Sequence, residues 1–330
     1  MISRVTSPLR VGIVGTGYAA RKRAEACLSD RRTELVAVTG NTPERIEEFC
    51  QTFKIEAVSS WVRLIDRADL DLIMVCTINR DCGAIAFAAI KANKHVIVEY
   101  PLALDVKQAK EIVMLAAIKN KLLHVEHMEI IGGLHQAIKQ HLPQIGRVFH
   151  ARYATISAQK SNPHSWKYNK DTFGFPLAAA LSRIHRLTDL FGTVETVSCH
   201  NRYWDEADSN YFTACFCDAR LEFKSSLVAE IVYGKGDVFH HSHRLFEIYG
   251  EEGTILFEGE KGKLIKNKEE TEIKVVSRRG LFAKDTTMVL DYLFNRQSLY
   301  IQPQASLYAL QIANAAWESS LTGNKVKFSN

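Results

Sequence analysis

The sequence predicts an α/β protein with an N-terminal doubly wound parallel sheet and a C-terminal α+β domain built on a large open antiparallel sheet. Three observations support this fold class. Short apolar runs alternate with helical patterns over residues 10–126, as in βαβ units. After residue 126, alternating strand patterns follow one another with few helices between them. The chain has 330 residues, a length that suits two domains of about 150 residues each.

The strands of the first domain are predicted from runs rich in Val and Ile without strict alternation, which is typical of strands covered on both faces. These runs are residues 10–15, 34–39, 71–77, 95–99 and 122–126. Helices are predicted between them at residues 19–28, 43–53, 83–92 and 105–119, with Pro43 at a first helical turn. The alternation indicates right-handed crossovers and a parallel sheet.

The second domain is predicted from the change of period near residue 126. A helix over residues 134–141 precedes strands at 147–157, 194–203, 212–223, 226–233, 243–249, 253–257 and 263–265. A helix over residues 176–190 interrupts them, and a closing helix near 303–321 precedes a last strand at 325–328. We therefore expect domains at residues 1–126 and 127–330.

Composition and charge restrict the class of protein. Hydrophobic residues make up 46% and charged residues 24%, which is typical of a globular chain. The net charge of +5 suits small anionic molecules without requiring nucleic acid. No apolar run approaches the roughly 18 residues of a membrane span, and the N-terminus lacks a signal-peptide pattern. Seven cysteines without paired spacing indicate a reduced chain, so we expect a cytoplasmic protein with no membrane partner. A monomer and a small homo-oligomer both remain open.

A glycine-rich turn directly follows the first predicted strand and opens a helix. In the run Gly15-Thr16-Gly17-Tyr18-Ala19, the first glycine permits the tight turn and the second lets a pyrophosphate approach the backbone. The N-terminus of the following helix favours the negative phosphate charge. This context predicts a Rossmann domain that binds a dinucleotide.

The end of the second strand favours NADP(H) over NAD(H). An NAD site has an Asp or Glu here to accept hydrogen bonds from the ribose 2′-hydroxyl. This chain instead has Asn41 and Thr42, with Arg45 close behind, and these can bind a 2′-phosphate. The cationic run over residues 21–23 either adds positive charge to this site or forms a solvated helix face.

Two further motifs carry a resemblance to a known family. The run Thr77-Ile78-Asn79 and the run ANKHVIVEYP at residues 92–101 resemble the T-P-N and A-G-K-H-V-x-x-E-K-P motifs of the glucose–fructose oxidoreductase/inositol dehydrogenase (Gfo/Idh/MocA) family. The resemblance extends over the whole chain. It implies that Thr77 and Asn79 contact the cofactor. Glu99, at the carboxyl end of its strand, is expected to contact the nicotinamide ribose.

The chain departs from the sugar dehydrogenases of that family at their catalytic positions. Tyr100 replaces the Lys of E-K-P, while Ser182 and Arg186 replace the Asp and His of a helical motif. Oxidation of a carbohydrate hydroxyl needs a base, and Tyr and Arg are poor bases at neutral pH. Sugar dehydrogenation is therefore disfavoured.

The segment VEYPLAL and the segment FGFPLAAALSRIHRLTDLFGTV instead resemble the cyanobacterial biliverdin reductases of the same family. That resemblance implies NADPH-dependent hydride transfer to the central methine carbon of biliverdin IXα, which gives bilirubin. It also implies that Arg183 is the key catalytic residue. We expect Arg183 to stabilise charge in the transition state rather than give up its proton, because a guanidinium seldom loses one.

The remaining site candidates follow from the expected substrate, a flat tetrapyrrole with two propionates. Tyr100 and Glu126 are expected near the reacting groups, with a structural salt bridge as an open alternative for Glu126. The expected substrate-binding residues are Arg186, His185, Trp166 and Phe173. Core packing stays open as the alternative for the two aromatic residues, and a structural cap or ion pair stays open for Arg186. The cluster of His and Glu at residues 124–129 lacks zinc-site spacing, so no metal is expected.

Two other functions remain as alternatives. The chain could be another NADP-dependent oxidoreductase of the family that acts on a sugar or an imine, although Tyr100, Ser182 and Arg186 argue against a sugar. It could also be a non-catalytic regulator that senses NADP, a hypothesis that the presence of Arg183 disfavours.

Overall fold

The computed structural model describes residues 7–162, 164–206, 209–295 and 297–328. The chain divides into two compact units. The first contains the described residues up to Met128 together with those of Arg279–Leu307. The second contains Glu129–Arg278 and the described residues from Tyr308 onward.

The first unit is built on a six-stranded parallel sheet, which confirms the predicted fold class. Its strands are β1 (Leu9–Val14), β2 (Thr33–Thr39), β3 (Glu56–Ala57), β4 (Leu72–Val75), β5 (His95–Val98) and β6 (Leu123–Val125), in the order β3-β2-β1-β4-β5-β6. Its helices are α1 (Tyr18–Leu28), α2 (Pro43–Phe53), α3 (Trp61–Asp66), α4 (Asn79–Lys91), α5 (Val106–Ile118) and α10 (Leu281–Asn295). Strands β2 and β3 are added on one side of β1, and strands β4 to β6 are added on its other side. This change of side places a topological switch point between β1 and β4.

The central strands of this sheet are largely apolar and buried, as is typical of strands covered on both faces. All four residues of β4 and all four of β5 are buried, as are most of β1 and β2. Burial of each large aliphatic side chain contributes about 1.5–3 kcal/mol. The core includes Val289, Leu290 and Leu293 of α10, a helix that the sequence reading did not predict.

The second unit has a nine-stranded sheet in the order β14-β13-β12-β11-β7-β10-β9-β8-β15. Its strands are β7 (Val148–Ala158), β8 (Val194–Asp205), β9 (Phe212–Phe223), β10 (Val228–Gly236), β11 (His243–Gly250), β12 (Gly253–Glu258), β13 (Lys261–Lys266), β14 (Glu269–Ile273) and β15 (Val326–Lys327). Its helices are α6 (Gly133–His141), α7 (Lys170–Phe173), α8 (Pro176–Ala179) and α9 (Ser182–Phe191), and α11 (Pro303–Thr322) closes the chain.

The large sheet is antiparallel as predicted, apart from the pairing of β7 with β10, which is parallel. The predicted helix over residues 176–190 is divided into α8 and α9. The division falls at Ala180, whose dihedral angles (φ −104°, ψ 32°) leave the helical region. This break lets α9 begin at Ser182, so that Arg183 lies in its first turn.

No helix among the described residues is long and apolar enough to cross a membrane.

Gly15 joins β1 to the strands on either side of it. Its amide donates a hydrogen bond to the Thr39 carbonyl at 2.8 Å, and its φ of +119° lies where side chains are rarely tolerated. A Cβ at this position would lie 2.0 Å from the Cys76 carbonyl oxygen. By contrast, a Cβ at Gly17 would meet nothing within 4 Å.

Gly15→Ala should therefore destabilise the first unit by about 3 kcal/mol or more, because the methyl group clashes with rigid backbone. This corresponds to a loss of roughly 5–10 °C in Tm, measured by thermal denaturation. Gly17→Ala is the matched control and should leave Tm nearly unchanged. Equal losses of Tm in both variants would contradict this account of the turn.

Candidate functional site

The structure brings the predicted cofactor-binding residues, together with Tyr100 and Glu126 of the predicted catalytic residues, to one edge of the six-stranded sheet. Each group follows the carboxyl end of a parallel strand, where doubly wound sheets bind ligands. The groups are Gly15, Thr16, Gly17, Tyr18 and Ala19 after β1, Asn41, Thr42 and Arg45 after β2, Thr77 and Asn79 after β4, Glu99 and Tyr100 after β5, and Glu126 after β6.

The glycine-rich turn leaves the N-terminus of α1 open. Gly17 is the N-cap residue with an extended backbone, no side chain caps the helix, and no acidic residue lies in its first turn. Tyr18, the first helical residue, is 71% exposed. The free N–H groups and the positive end of the helix dipole can therefore receive a phosphate.

The end of β2 lies against this turn. A Cβ at Gly40 would lie 3.2 Å from the Thr16 methyl group, so the residues after Gly40 follow close to the phosphate turn. Asn41 and Arg45 are exposed, and Thr42 is the N-cap residue of α2. Both exposed groups are hydrogen-bond donors, as recognition of a 2′-phosphate requires.

Arg23 does not lie on a solvated helix face, which was one of the two alternatives that the sequence left open for residues 21–23. Its guanidinium is fully buried and donates hydrogen bonds to Glu99 Oε1 at 2.9 Å, to Thr286 Oγ1 at 3.0 Å and to the Asp285 carboxylate. Arg21 is ion-paired with Glu48 at 2.9 Å. Arg23 therefore orients Glu99 instead of contacting a phosphate.

Asp285 on α10 is the second member of this buried network. Its Oδ1 lies 2.8 Å from His124 Nε2 and accepts a hydrogen bond from the Tyr300 hydroxyl at 2.6 Å. Burial alone would raise the pKa of Asp285, but the positive charge of Arg23 and these hydrogen bonds hold that pKa below its usual range. Asp285 is therefore ionised and balances the charge of Arg23.

Glu126 is buried next to this network, and its carboxylate accepts a hydrogen bond from the Met128 amide. Burial, followed by the negative charges of Glu99 and Asp285, raises the pKa of Glu126 well above its usual value. Both causes favour the protonated form of this side chain, which can donate a proton. Among the described residues it forms no salt bridge, so the structural alternative left open by the sequence is not favoured.

Tyr100 stacks on the His127 ring, with centroids 5.3 Å apart and planes at 6°. His127 Nε2 in turn lies 2.9 Å from the Ser306 hydroxyl. The histidines of the 124–129 segment thus bond to Asp285 and Ser306. In the part of the chain that the structure describes, no group of three or more His, Cys, Asp or Glu residues is placed to hold a metal ion.

Arg183 lies at a separate cavity in the second unit. Its Nε donates to Thr155 Oγ1 at 3.3 Å, its Nη1 donates to Ser182 Oγ at 3.2 Å, and its guanidinium lies 5.3 Å from the centroid of the Tyr233 ring. The cavity of about 540 Å³ is lined by Arg183, Thr155 and Tyr233 and also by Lys235, His243 and Arg244. It is therefore a cationic cavity with an aromatic wall, suited to a flat anionic ligand.

The sequence reading missed Tyr233, Lys235 and Arg244. Tyr233 and Lys235 occupy alternate positions of β10, and Arg244 and Tyr233 both pair with Thr155 of β7. These side chains therefore share one face of the sheet. The alternation of inward and outward residues along β10 was visible in the sequence. The pairing of β7 with β10 and β11, which brings these side chains together, was not.

The predicted substrate-binding residues are more buried than expected. Arg186 is 2% exposed, and its Nη2 is ion-paired with Glu129 at 2.7 Å. His185 is also buried, and burial lowers its pKa to about 4. Neither residue lines the described cavity around Arg183. The expectation that Arg186 binds a propionate therefore stays a prediction, although its guanidinium is enclosed and its Nη2 is paired with Glu129.

Phe173 and Trp166 belong to an aromatic cluster around Tyr168 and Phe212. Phe173 is 7% exposed, and its ring centroid lies 6.0 Å from that of Phe212. The cluster packs against the strand that carries Tyr233 and Lys235. These two aromatic residues therefore pack against side chains that line the cavity, without lining it themselves.

The chain belongs to the Gfo/Idh/MocA oxidoreductase family. The family model for an NAD-binding Rossmann fold matches residues 9–127, and the model for the C-terminal alpha/beta domain matches residues 136–328. The fold and the open helix N-terminus agree with this assignment.

Within the family, the chain is similar to the crystal structure of biliverdin reductase from Synechocystis sp. PCC 6803 in complex with biliverdin and NADP+. The two are 51% identical with a TM-score of 0.93, and the match covers 95% of this chain and 99% of that one. Mouse biliverdin reductase A is 29% identical over 42% of this chain and 44% of that protein. A dTDP-3,4-didehydro-2,6-dideoxy-alpha-D-glucose 3-reductase from Saccharopolyspora spinosa is 27% identical over 76% of this chain and 74% of that enzyme.

Asp285→Asn should destabilise the first unit by about 3–5 kcal/mol, because it removes the charge that compensates buried Arg23. Since the pKa of Asp285 is lowered by folding, its contribution is present above an unfolded-state pKa of about 3.9 and is lost as pH falls below it. Urea denaturation at pH 7 measures the change.

Asp291→Asn is the matched control on the same helix. Asp291 is ion-paired with Arg32 at 2.6 Å, but both side chains are about a quarter exposed, so the loss should stay below about 1 kcal/mol. Similar losses of stability in the two variants would refute the special role of the buried pair.

Proposed function

We propose that this chain is an NADPH-dependent biliverdin reductase that converts biliverdin IXα to bilirubin. The main support is the similarity to a biliverdin reductase whose structure contains biliverdin and NADP+. The two proteins are 51% identical, and the match covers 95% of this chain and 99% of that one. The absence of the sugar dehydrogenase residues at positions 100, 182 and 186 supports the same proposal.

The open N-terminus of α1 fits the pyrophosphate of the cofactor, and Asn41, Thr42 and Arg45 fit its 2′-phosphate. Glu99, held by Arg23, is proposed to accept hydrogen bonds from the nicotinamide ribose, and Thr77 and Asn79 are proposed to contact the cofactor at the end of β4. NADPH supplies the hydride of the reaction.

Biliverdin gains that hydride at its central methine carbon and a proton at a pyrrole nitrogen, so one proton is consumed for each turnover. Electron density develops on the conjugated pyrrole nitrogens as the hydride arrives. The Arg183 guanidinium is proposed to stabilise this charge, since it stays protonated and offers several N–H donors. Tyr233 beneath it fixes its plane.

The other residues take supporting roles. Arg244 adds to the positive charge that two propionates require at the cavity around Arg183. Neutral Glu126 is proposed to hold a proton that the reaction can use. Tyr100, fixed by its stacking on His127, is proposed to shape the site without acting as the essential acid, because a phenol is a weak acid at pH 7.

Mixing the protein with NADPH and biliverdin tests the proposal. The red absorbance band of biliverdin should decline while the blue absorbance of bilirubin grows, with one NADPH consumed for each bilirubin formed. Turnover of sugars or imines with no reduction of biliverdin would favour another oxidoreductase of the family. Cofactor binding without any turnover would favour a regulator.

Arg45→Ala should raise the KM for NADPH about ten- to a hundredfold, the effect of losing one charge-assisted contact worth about 1.5–3 kcal/mol. The same variant assayed with NADH is the internal control and should be nearly unaffected, because NADH has no 2′-phosphate. Equal efficiency of the wild type with both cofactors would contradict the predicted preference.

Arg183→Ala should lower kcat by about a hundred- to a thousandfold while changing biliverdin affinity much less, since its main contact forms in the transition state. Lys should restore only part of the rate, because it keeps the charge but loses the planar fork. Single-turnover stopped-flow at saturating NADPH separates binding from reduction.

Arg244→Ala is the comparison variant, for which biliverdin affinity should fall while kcat is largely preserved. If Arg183→Ala binds biliverdin poorly but reduces it at the wild-type rate, the roles of these two arginines are wrong.

A further inference from the structure

Lys235 presents a buried ammonium group that the proposed mechanism does not fully explain. The residue is 4% exposed, and its Nζ lies 3.5 Å from the ring centroid of Phe173, 4.6 Å from that of Tyr168 and 5.3 Å from that of Phe212. Its ammonium also donates a hydrogen bond to the Lys167 carbonyl. A buried cation persists only where such partners compensate for lost water.

The partners of Lys235 lie mostly in one short segment, Trp166–Phe173, which we call the aromatic segment. It consists of a 3₁₀ turn (Trp166–Tyr168) and α7. Its middle is tied to the loop before β9, since the Lys170 amide donates to the Asn210 carbonyl at 2.9 Å. Lys235 ties the first turn and the last ring of the segment to β10.

The same strand supports Arg183. Tyr233, two residues before Lys235 and therefore on the same face, lies beneath the Arg183 guanidinium. Both Tyr233 and Lys235 line the cavity that contains Arg183. One stretch of β10 thus carries both the ring that orients Arg183 and the cation that holds the aromatic segment.

We propose that Lys235 is a positioning residue whose ammonium fastens the aromatic segment to β10. The fastened segment holds in place the stretch of β10 that forms one wall of the cavity around Arg183. A flat aromatic anion then binds against a fixed wall, and less ordering is required on binding. The identity of that ligand as biliverdin rests on the proposed function, whereas the fastening of the segment does not.

The proposal makes the wall sensitive to pH. Burial lowers the pKa of Lys235 to about 8. Cys215 acts to raise this pKa, and the positive charge of Lys167 acts to lower it further. Burial raises the pKa of Cys215 to about 12 and also raises that of Tyr168, so neither of these two neighbours titrates near pH 8. The other charged or titratable groups around Lys235 are Lys167 and Asp237 beside the aromatic segment and Arg183, His243 and Arg244 around the cavity.

Since deprotonation removes the charge that attracts the three rings, the segment should loosen as pH rises through about 8. Trp166 lies in the segment and reports this change directly. Its fluorescence should show a transition with a midpoint near pH 8 in the wild type, measured without any ligand. Trp166→Phe should remove the transition and so assign it to this side chain.

Lys235→Met and Lys235→Arg should both abolish the transition, the first because no charge is present and the second because the guanidinium stays protonated. Lys263→Met, an exposed residue on β13 paired with Glu270, is the matched control and should retain it. A transition that persists near pH 8 in Lys235→Arg overturns the proposal. If Lys235→Met does not fold, the Arg variant alone decides the question.

Binding of biliverdin gives the second readout. Lys235→Met should raise its Kd about tenfold at pH 7, while kcat at saturation changes much less. Lys235→Arg should keep most of the affinity at pH 7 and also retain it at pH 9, where the wild type weakens. Equal Kd values in the wild type and the Met variant would refute the role in binding. If the wild type does not bind biliverdin, the proposed function fails, and the fluorescence transition still tests Lys235.

Discussion

The arrangement of the first unit depends on one buried ion pair between Arg23 of α1 and Asp285 of α10. An arginine without any exposed surface is tolerated only where opposite charge lies beside it, and Asp285 and Glu99 supply that charge. The pair fixes α10 against α1, and it orients Glu99 at the strand-end edge of the sheet. The carboxylates gathered around this one guanidinium have a further consequence, because their negative charge adds to the effect of burial in raising the pKa of Glu126.

In the second unit an arginine lines a cavity, whereas Arg23 of the first unit is fully buried. Its sheet face carries aromatic rings at Tyr153 and Tyr233, and α9 places Arg186 over the first ring and Arg183 over the second. Arg186 is also paired with Glu129, which neutralises it, whereas Arg183 lines the cavity. Arg186, which is buried and ion-paired, thus lies only three positions along α9 from Arg183, the candidate catalytic residue. The packing of α9 on the sheet gives the two arginines these different surroundings.

The sequence predicted what local patterns determine. Five of the six parallel strands, the glycine-rich turn and α2 were found because each carries its signal within a few neighbouring residues, whereas the two-residue strand β3 was missed. The return of α10 to the first unit was not found, since an amphipathic helix carries no mark of the sheet that it covers. The burial of Arg23 and Arg186 was missed for the same reason, because their partners Asp285 and Glu129 are 262 and 57 residues away along the chain.

Under the proposed reaction, the two candidate catalytic groups have complementary proton affinities. A reduction that adds one hydride and one proton needs a cation that does not lose its proton and a separate acid that can. Arg183 meets the first requirement by its chemistry, and Glu126 meets the second because burial and its anionic neighbours keep it protonated. The buried Arg23–Asp285 network then has a chemical consequence as well as a structural one: the carboxylates gathered around Arg23 add to the effect of burial in raising the pKa of Glu126.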